Sequence, residues 1–253
     1  MTSTNRRWSC GLLLAALLLV SCAHRSGKVR TSRSIRSAAP AQVAPPRTPT
    51  ATRTATIQTE PAVSSSRTRL QGHEVFQRYN QAVFVVYSTD GTAAYQGSGF
   101  FIDNSGLAVS NEHVFHGTLQ DTRIKLVGQQ QTFPVTEIIA RSAEQDFILF
   151  RVGYASRCYL PLAQQKPKIG ERVYAIGSPR GLENTFSSGE VSQWRDDCLM
   201  QISVLIDHGS SGGALINEYG EAVGITSGTF YDGSQANLNY AWSIEVLRPY
   251  LSF

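Results

Sequence analysis

From Gln71 onward the apolar residues come in short bursts, each closed by a turn residue. The first six bursts span 82–87, 97–102, 107–110, 123–127, 132–140 and 147–152. A second six span 172–176, 185–193, 199–206, 214–216, 222–226 and 238–243. Runs of this length, rich in Val, Ile, Phe and Tyr, predict strands. Many short strands at such spacing argue an antiparallel barrel or sandwich. The stretch 158–170 divides them into two sets of about six, which suits two barrels packed together. The predicted class is therefore all-β, two six-stranded antiparallel barrels. Helix is confined to a short segment at 73–79 and another at the C-terminus, 244–251.

The N-terminal pattern is of another kind. Arg6 and Arg7 precede an apolar run at 11–20, too short to span a bilayer as a mature helix. It reads as a secretory signal. It closes in Leu19-Val20-Ser21-Cys22, which resembles the lipobox of bacterial lipoproteins. There the cysteine becomes the new N-terminus and carries the lipid. By the same resemblance, Ala23 after it favours the outer membrane, on the periplasmic side. Three domains are expected: a signal peptide at 1–21, a tether at 22–70 and a catalytic body at 71–253.

Charge separates the last two. Residues 23–70 are rich in Ser, Thr, Ala and Pro, and carry nine Lys and Arg against Glu60 alone, a surplus of eight. Such a composition cannot bury enough apolar surface to offset ordering entropy, so it reads as a disordered spacer. Removing these residues and the signal leaves 12 basic and 18 acidic residues for the body, about −6. The alkaline pI belongs to the tether. In an exported chain anionic lipid or envelope polymer is a better neighbour for it than nucleic acid, and a solvated tether that spaces the body from the membrane is the preferred reading.

Candidate chemistry centres on Gly209-Ser210-Ser211-Gly212-Gly213. Glycines around a serine permit φ > 0 and a close backbone approach, so that two amides can face the serine oxygen. A serine hydroxyl needs a base, and the base needs a third group to fix its tautomer. Of the five histidines, His24 lies in the tether and His73 at the edge of the body. His113 follows a buried-looking strand and can be held rigidly at a barrel rim. His116 would point elsewhere, and His208 suits the rim of a cleft. Asp146 stands immediately before an apolar strand, where a carboxylate needs a partner such as an imidazole N–H.

Gly97-Ser98-Gly99-Phe100, His113, Asp146 and 209–213 follow the order His, Asp, Ser. The chain resembles the trypsin-like serine proteases, and more closely their HtrA/Deg branch. The segment 170–182 is similar to that branch's G-[DE]-x-V-x-A-I-G-x-P-x-G-L, and 189–192 to its G-x-V-S. Tyr240-Ala241-Trp242-Ser243-Ile244 occupies the place of its F-A-I-P. The resemblance covers nearly all of 72–253. It implies His113 as general base, Asp146 as its orienter and Ser211 as nucleophile. The oxyanion hole would be the backbone N–H groups of Gly209 and Ser211. The specificity pocket would be walled by Leu205, Ile206 and the backbone of Thr226, Ser227 and Gly228, with no acid at its base, so small or medium apolar side chains should fit.

Departures from the branch matter too. No PDZ domain follows within these residues, so peptide gating through one is not expected. Ser210 stands where digestive relatives carry an Asp that pairs with a freed amine, so activation by N-terminal cleavage is not expected. Many relatives trimerise, and a homo-oligomer is compatible with the resemblance. Cys158 and Cys198, in an oxidising compartment, suggest one disulfide, with two separate thiols as the alternative. No His/Cys spacing suits zinc and no phosphate loop is present, so no metal and no cofactor are expected. The expected function is a membrane-anchored endopeptidase acting on unfolded or damaged envelope proteins through an acyl-enzyme. A catalytically silent binding or chaperone module is the alternative.

Overall fold

A computed structural model describes residues 67–179, 184–229 and 238–251. The signal segment, Cys22 and nearly all of the tether lie outside the described residues. The one α-helix among the described residues, α1 (Gly72–Tyr79), is closed at its N-terminus by Glu74, whose carboxylate accepts from the Gln71 amide at 2.7 Å. Six strands follow: β1 (Val83–Thr89), β2 (Ala94–Phe101), β3 (Leu107–Ser110), β4 (Arg123–Leu126), β5 (Thr132–Ser142) and β6 (Phe147–Val152). They close into a barrel in the order β1-β2-β3-β6-β5-β4. The second six are β7 (Arg172–Gly177), β8 (Thr185–Trp194), β9 (Leu199–Ile202), β10 (Ala214–Asn217), β11 (Ala222–Thr229) and β12 (Asn239–Ser243). They close in the order β10-β11-β12-β9-β8-β7. All pairings between named strands are antiparallel.

The burial pattern explains why several strands read as unbroken apolar runs. Successive side chains on a strand leave on opposite faces. Phe84, Phe101, Ile148 and Phe150 fill the first barrel. Their neighbours Val83, Phe100, Phe147 and Leu149 leave the outer face and meet Tyr174, Ile176, Ala214 and Ile216 of the second barrel. Val173, Ala175, Val191, Met200 and Leu215 fill the second barrel. Both faces of the strands at the junction are dry, so no polar alternation survives there. Three contiguous cores result, one inside each barrel and one between them.

Many strand ends shift by one to three residues from the predicted runs, and two elements differ further. The run 199–206 forms a strand only as far as Ile202. Beyond it the Ser203 amide still donates to the Glu190 carbonyl at 3.0 Å, but the Ser203 hydroxyl takes the Glu190 amide at 2.9 Å in place of a backbone acceptor. Val204 then turns into the core while Leu205 is 75% exposed. The C-terminal helix, Ile244–Tyr250, is a 3-10 helix rather than an α-helix. Ser243 caps it by accepting from the Glu245 amide at 3.3 Å. Pro249, inside it, has no N–H to donate.

Candidate active site

The topology brings the base and the carboxylate together. β3 and β6 are antiparallel neighbours with Ser110 opposite Ile148, so the end of β3 meets the start of β6. His113 rides the 3-10 turn Glu112–Val114, just past β3, and Asp146 immediately precedes β6. The turn is fixed from behind by buried Ser88, whose hydroxyl donates to the Val114 carbonyl at 2.7 Å. His113 Nδ1 lies 2.8 Å from Oδ2 and 2.9 Å from Oδ1 of Asp146, and the His113 amide donates to Oδ1 at 3.1 Å. A carboxylate can only accept, so Nδ1 carries the proton and the Nε2 lone pair is left for base chemistry.

Asp146 is the only non-glycine residue with positive φ among the described residues, at 42°. That left-handed backbone is costly outside glycine but tolerated best by Asp and Asn. Fully buried Asn111 grips the same residue, its Nδ2 donating to the Asp146 carbonyl at 2.7 Å. A third donor to the carboxylate comes from the other barrel: the Ser227 hydroxyl reaches Oδ2 at 2.5 Å. β11 makes this possible through a register shift. Thr226 pairs with Ala241 and Gly228 with Tyr240, which leaves Ser227 as the extra residue of a bulge. A bulge re-aims one side chain, and here it turns Ser227 towards Asp146.

The nucleophile loop sits between β9 and β10. A Cβ on Gly228 would stand 3.5 Å from Ser211 Oγ, which places that hydroxyl beside the residue following Ser227. Ser210 donates its amide to the Asp207 carbonyl at 2.9 Å, and Gly209 has φ 94°. A bond across four residues with positive φ at the third is the pattern of a type II turn. Gly212, at φ 85°, allows a close approach: a Cβ there would come within 2.1 Å of the Ser98 carbonyl oxygen. Ser98, fully buried on β2, ties the loop to the first barrel. Its amide donates to the Ser211 carbonyl at 2.8 Å, and its hydroxyl donates to the Gly209 carbonyl at 2.7 Å. The same hydroxyl accepts from the Ser178 amide at 2.8 Å. Among the described residues, the amides of Gly209 and Ser211 have no acceptor. Among the same residues, no hydrogen bond joins the Ser211 hydroxyl to the His113 ring.

The expected specificity walls are divided by the structure. An apolar-lined cavity of about 460 Å³ touches Leu205, Ile206 and Thr226, with Ile176, Phe186 and Ser210 on its other sides. Ser227 and Gly228 do not line it; they face Asp146 and the Ser211 hydroxyl. Asp207 does line it, so the cavity is not free of acidic residues, although Oδ1 of Asp207 accepts from the His208 amide at 2.7 Å.

His208 is exposed. His116 turns away from the site to stack on Tyr95, with ring centroids 3.5 Å apart. The Tyr95 phenol donates to Asp90 at 2.7 Å, which pushes its own pKa up and holds the Asp90 carboxyl well below the usual carboxylate range.

The suggested disulfide is absent. Cys158 and Cys198 are both free, and both pack against the core between the barrels. The Cys158 thiol lies 3.2 Å from the Arg78 carbonyl, and the Cys198 carbonyl accepts from the Ser243 amide at 2.7 Å. Burial pushes both thiols above their ordinary pKa. Among the described residues no group of three or more His, Cys, Asp and Glu side chains is arranged to hold a metal ion. No helix among them is long and apolar enough to cross a membrane.

Comparison with known proteins bears on this arrangement. Residues 97–225 match the family model of the trypsin-like peptidase domain. The chain is 31% identical over 158 residues to a probable periplasmic DegP-like serine endoprotease of Rhizobium meliloti, covering 59% of this chain and 31% of that one. It is 30% identical over 189 residues to the putative serine protease HhoA of Synechocystis, covering 68% and 46%. The chain thus spans about a third to a half of the length of these relatives. Among solved structures, a serine endoprotease from Yersinia pestis matches with a TM-score of 0.63 at 23% identity, covering 72% of this chain and 65% of that one. At that identity the likeness concerns the fold.

Proposed function

The chain belongs to the trypsin-like peptidase domain family, and on that premise we propose that it is a serine endopeptidase working through an acyl-enzyme. His113 Nε2 takes the proton of Ser211 as the hydroxyl attacks a peptide carbonyl, and later returns it to the leaving amine. Asp146 holds the imidazole in the tautomer this requires and stabilises the imidazolium that forms. The amides of Gly209 and Ser211 receive the oxyanion. The observation that carries the reading is the Asp146 carboxylate, which takes Nδ1 and the amide of His113 together with the Ser227 hydroxyl. Three donors converging on one carboxylate beside a serine with unused amides are hard to account for as packing alone. The absent Ser211–His113 bond is compatible with a resting enzyme, because catalytic hydrogen bonds often tighten only around substrate.

The N-terminal pattern places this activity in the bacterial envelope. We read 1–21 as a lipoprotein signal, Cys22 as the lipid-bearing residue, 22–70 as a tether and 71–253 as the protease body. The relative from Rhizobium meliloti, described as periplasmic, supports that compartment. The substrates proposed are unfolded or damaged envelope proteins, cut after small or medium apolar residues that enter the cavity beside Leu205 and Ile206. Casein turnover should be abolished in Ser211→Ala and His113→Ala, and exceed turnover of short esters. Cys22→Ser should stop incorporation of labelled fatty acid.

The missing Ser211–His113 bond also favours a second reading, a silent binding or chaperone module. Under it, wild type and Ser211→Ala would be equally inert towards casein, and both would still suppress aggregation of an unfolded client.

A further inference from the structure

The sequence marks Thr226 only as pocket wall, yet it makes more contacts with the nucleophile loop than that role requires. Its amide donates to the Gly213 carbonyl at 3.0 Å, and its carbonyl accepts from the Gly212 amide at 2.7 Å. Its hydroxyl lies 2.7 Å from the Ser210 carbonyl and 3.2 Å from that of Gly213. A hydroxyl has one proton, and the shorter distance assigns it to Ser210. The side chain is 1% exposed, so water cannot replace that donor.

The consequence lies at the far end of one peptide unit. The Ser210 carbonyl and the Ser211 amide belong to the same planar group, and in a trans peptide they point in opposite directions. The Thr226 hydroxyl, helped by the Gly213 amide at 2.9 Å, draws the carbonyl towards β11. The Ser211 N–H is thereby turned the other way, and it has no acceptor among the described residues. We infer that Thr226 is a positioning residue for the oxyanion hole: its buried hydroxyl fixes the plane of the 210–211 peptide and aims the Ser211 amide at the developing charge. This rests on the protease reading of Ser211, and it goes beyond it by assigning the hole's orientation to a side chain whose hydroxyl is turned into the nucleophile loop.

The bulge on β11 gives the two neighbouring hydroxyls separate tasks. Thr226, still paired with Ala241, reaches back into the loop, while unpaired Ser227 turns to Asp146. One short segment of β11 thus serves the oxyanion side and the carboxylate side at once.

The test compares Thr226→Val, Thr226→Ala and Thr226→Ser in the full chain. Val keeps the shape and loses the donor, and Ser keeps the donor and loses a methyl. Ala and Ser differ by the hydroxyl alone, so that pair decides the matter should Val fail to fold. Removing one oxyanion donor costs about 10²–10³ in kcat. Misaiming one without removing it should cost Val and Ala roughly 10–100-fold in kcat with KM within about threefold, while Ser retains most of kcat. Hydrogen exchange of the peptide covering 207–213 supplies a readout independent of turnover. It should rise in Val and Ala and stay at the wild-type level in Ser. Ser behaving as badly as Ala, a loss confined to KM, or exchange unaltered in Val and Ala would overturn the inference and leave Thr226 as packing. Failure of the protease reading is seen separately, as equal turnover by wild type and Ser211→Ala, in which case the exchange result reports only whether Thr226 orders the loop.

Discussion

The two barrels present their halves of the site in opposite ways. On the first barrel the Asp146 carboxylate is saturated: it has three donors, the Asp146 carbonyl has a fourth in Asn111, and the turn bearing His113 is pinned by Ser88. On the second barrel three carbonyls of the nucleophile loop are held, at Gly209 by Ser98, at Ser210 by Thr226, and at Ser211 by the Ser98 amide. The amides of Gly209 and Ser211 are left with no acceptor among the described residues. A base must have its tautomer and direction fixed before the reaction begins, so its partners are complete. An oxyanion hole must have vacant donors when charge develops, and at Ser211 it is the opposite end of the peptide, the Ser210 carbonyl, that is tied down. Each half also borrows one hydroxyl from the other barrel: Ser227 crosses to Asp146, and Ser98 crosses to the loop.

The contrast can be broken from its strongest point downward. Asp146→Asn replaces the acceptor of Nδ1–H with a group that can present N–H instead, favouring the wrong tautomer. A loss of roughly 10³–10⁴ in kcat is expected, with the fold intact by circular dichroism. A loss below tenfold would mean that the carboxylate does not orient His113. Ser98→Ala frees the Gly209 carbonyl and orphans the Ser178 amide in a dry site. It should lower kcat by roughly 10²-fold, comparable to losing one oxyanion donor, and reduce stability by about 1–3 kcal/mol in urea titrations. An unaltered kcat would show that the loop holds its shape without the Ser98 hydroxyl.

Ser227→Ala removes one of three donors from a carboxylate that keeps the other two. Its effect should be about tenfold in kcat, smaller than either of the above, because a hydrogen bond to a charged group contributes about 1.5–3 kcal/mol and the site is partly wet. An effect as large as that of Asp146→Asn would make Ser227 an essential partner of the pair. Smallest of all are the thiols. Cys158 and Cys198 should both alkylate after denaturation without reductant, giving two added labels on the body by intact mass, and Cys198→Ser should leave turnover near wild type.

Much of this was legible in the sequence, and the exceptions have local causes. Strands β3 and β6 begin and end where the apolar runs do, because the residues flanking them are polar or turn-forming and the runs are buried on both faces. The end of β9 was not legible, since Ser203-Val204-Leu205-Ile206 is as apolar as a strand; its pairing is ended by the Ser203 hydroxyl, a tertiary contact. The order His113, Asp146, Ser211 was readable from residue types and resemblance. The tasks of Ser227 and Thr226 were not, because a bulge has no composition signature beyond a small residue beside a glycine. Gly228, at φ 99°, was the one hint that strand alternation fails there. The free thiols were not legible because two cysteines in an exported chain satisfy the compartment argument, whereas a bond also requires a specific geometry that a sequence does not carry.

The most direct test is labelling of the folded protein by a fluorophosphonate probe, which reacts only with a serine activated by its base and held beside a working oxyanion hole. Stoichiometric label on Ser211, lost in Ser211→Ala and strongly slowed in His113→Ala and Asp146→Asn, is the result this account predicts. A protein that stays folded yet takes no label at Ser211, with or without an unfolded substrate present, would contradict it.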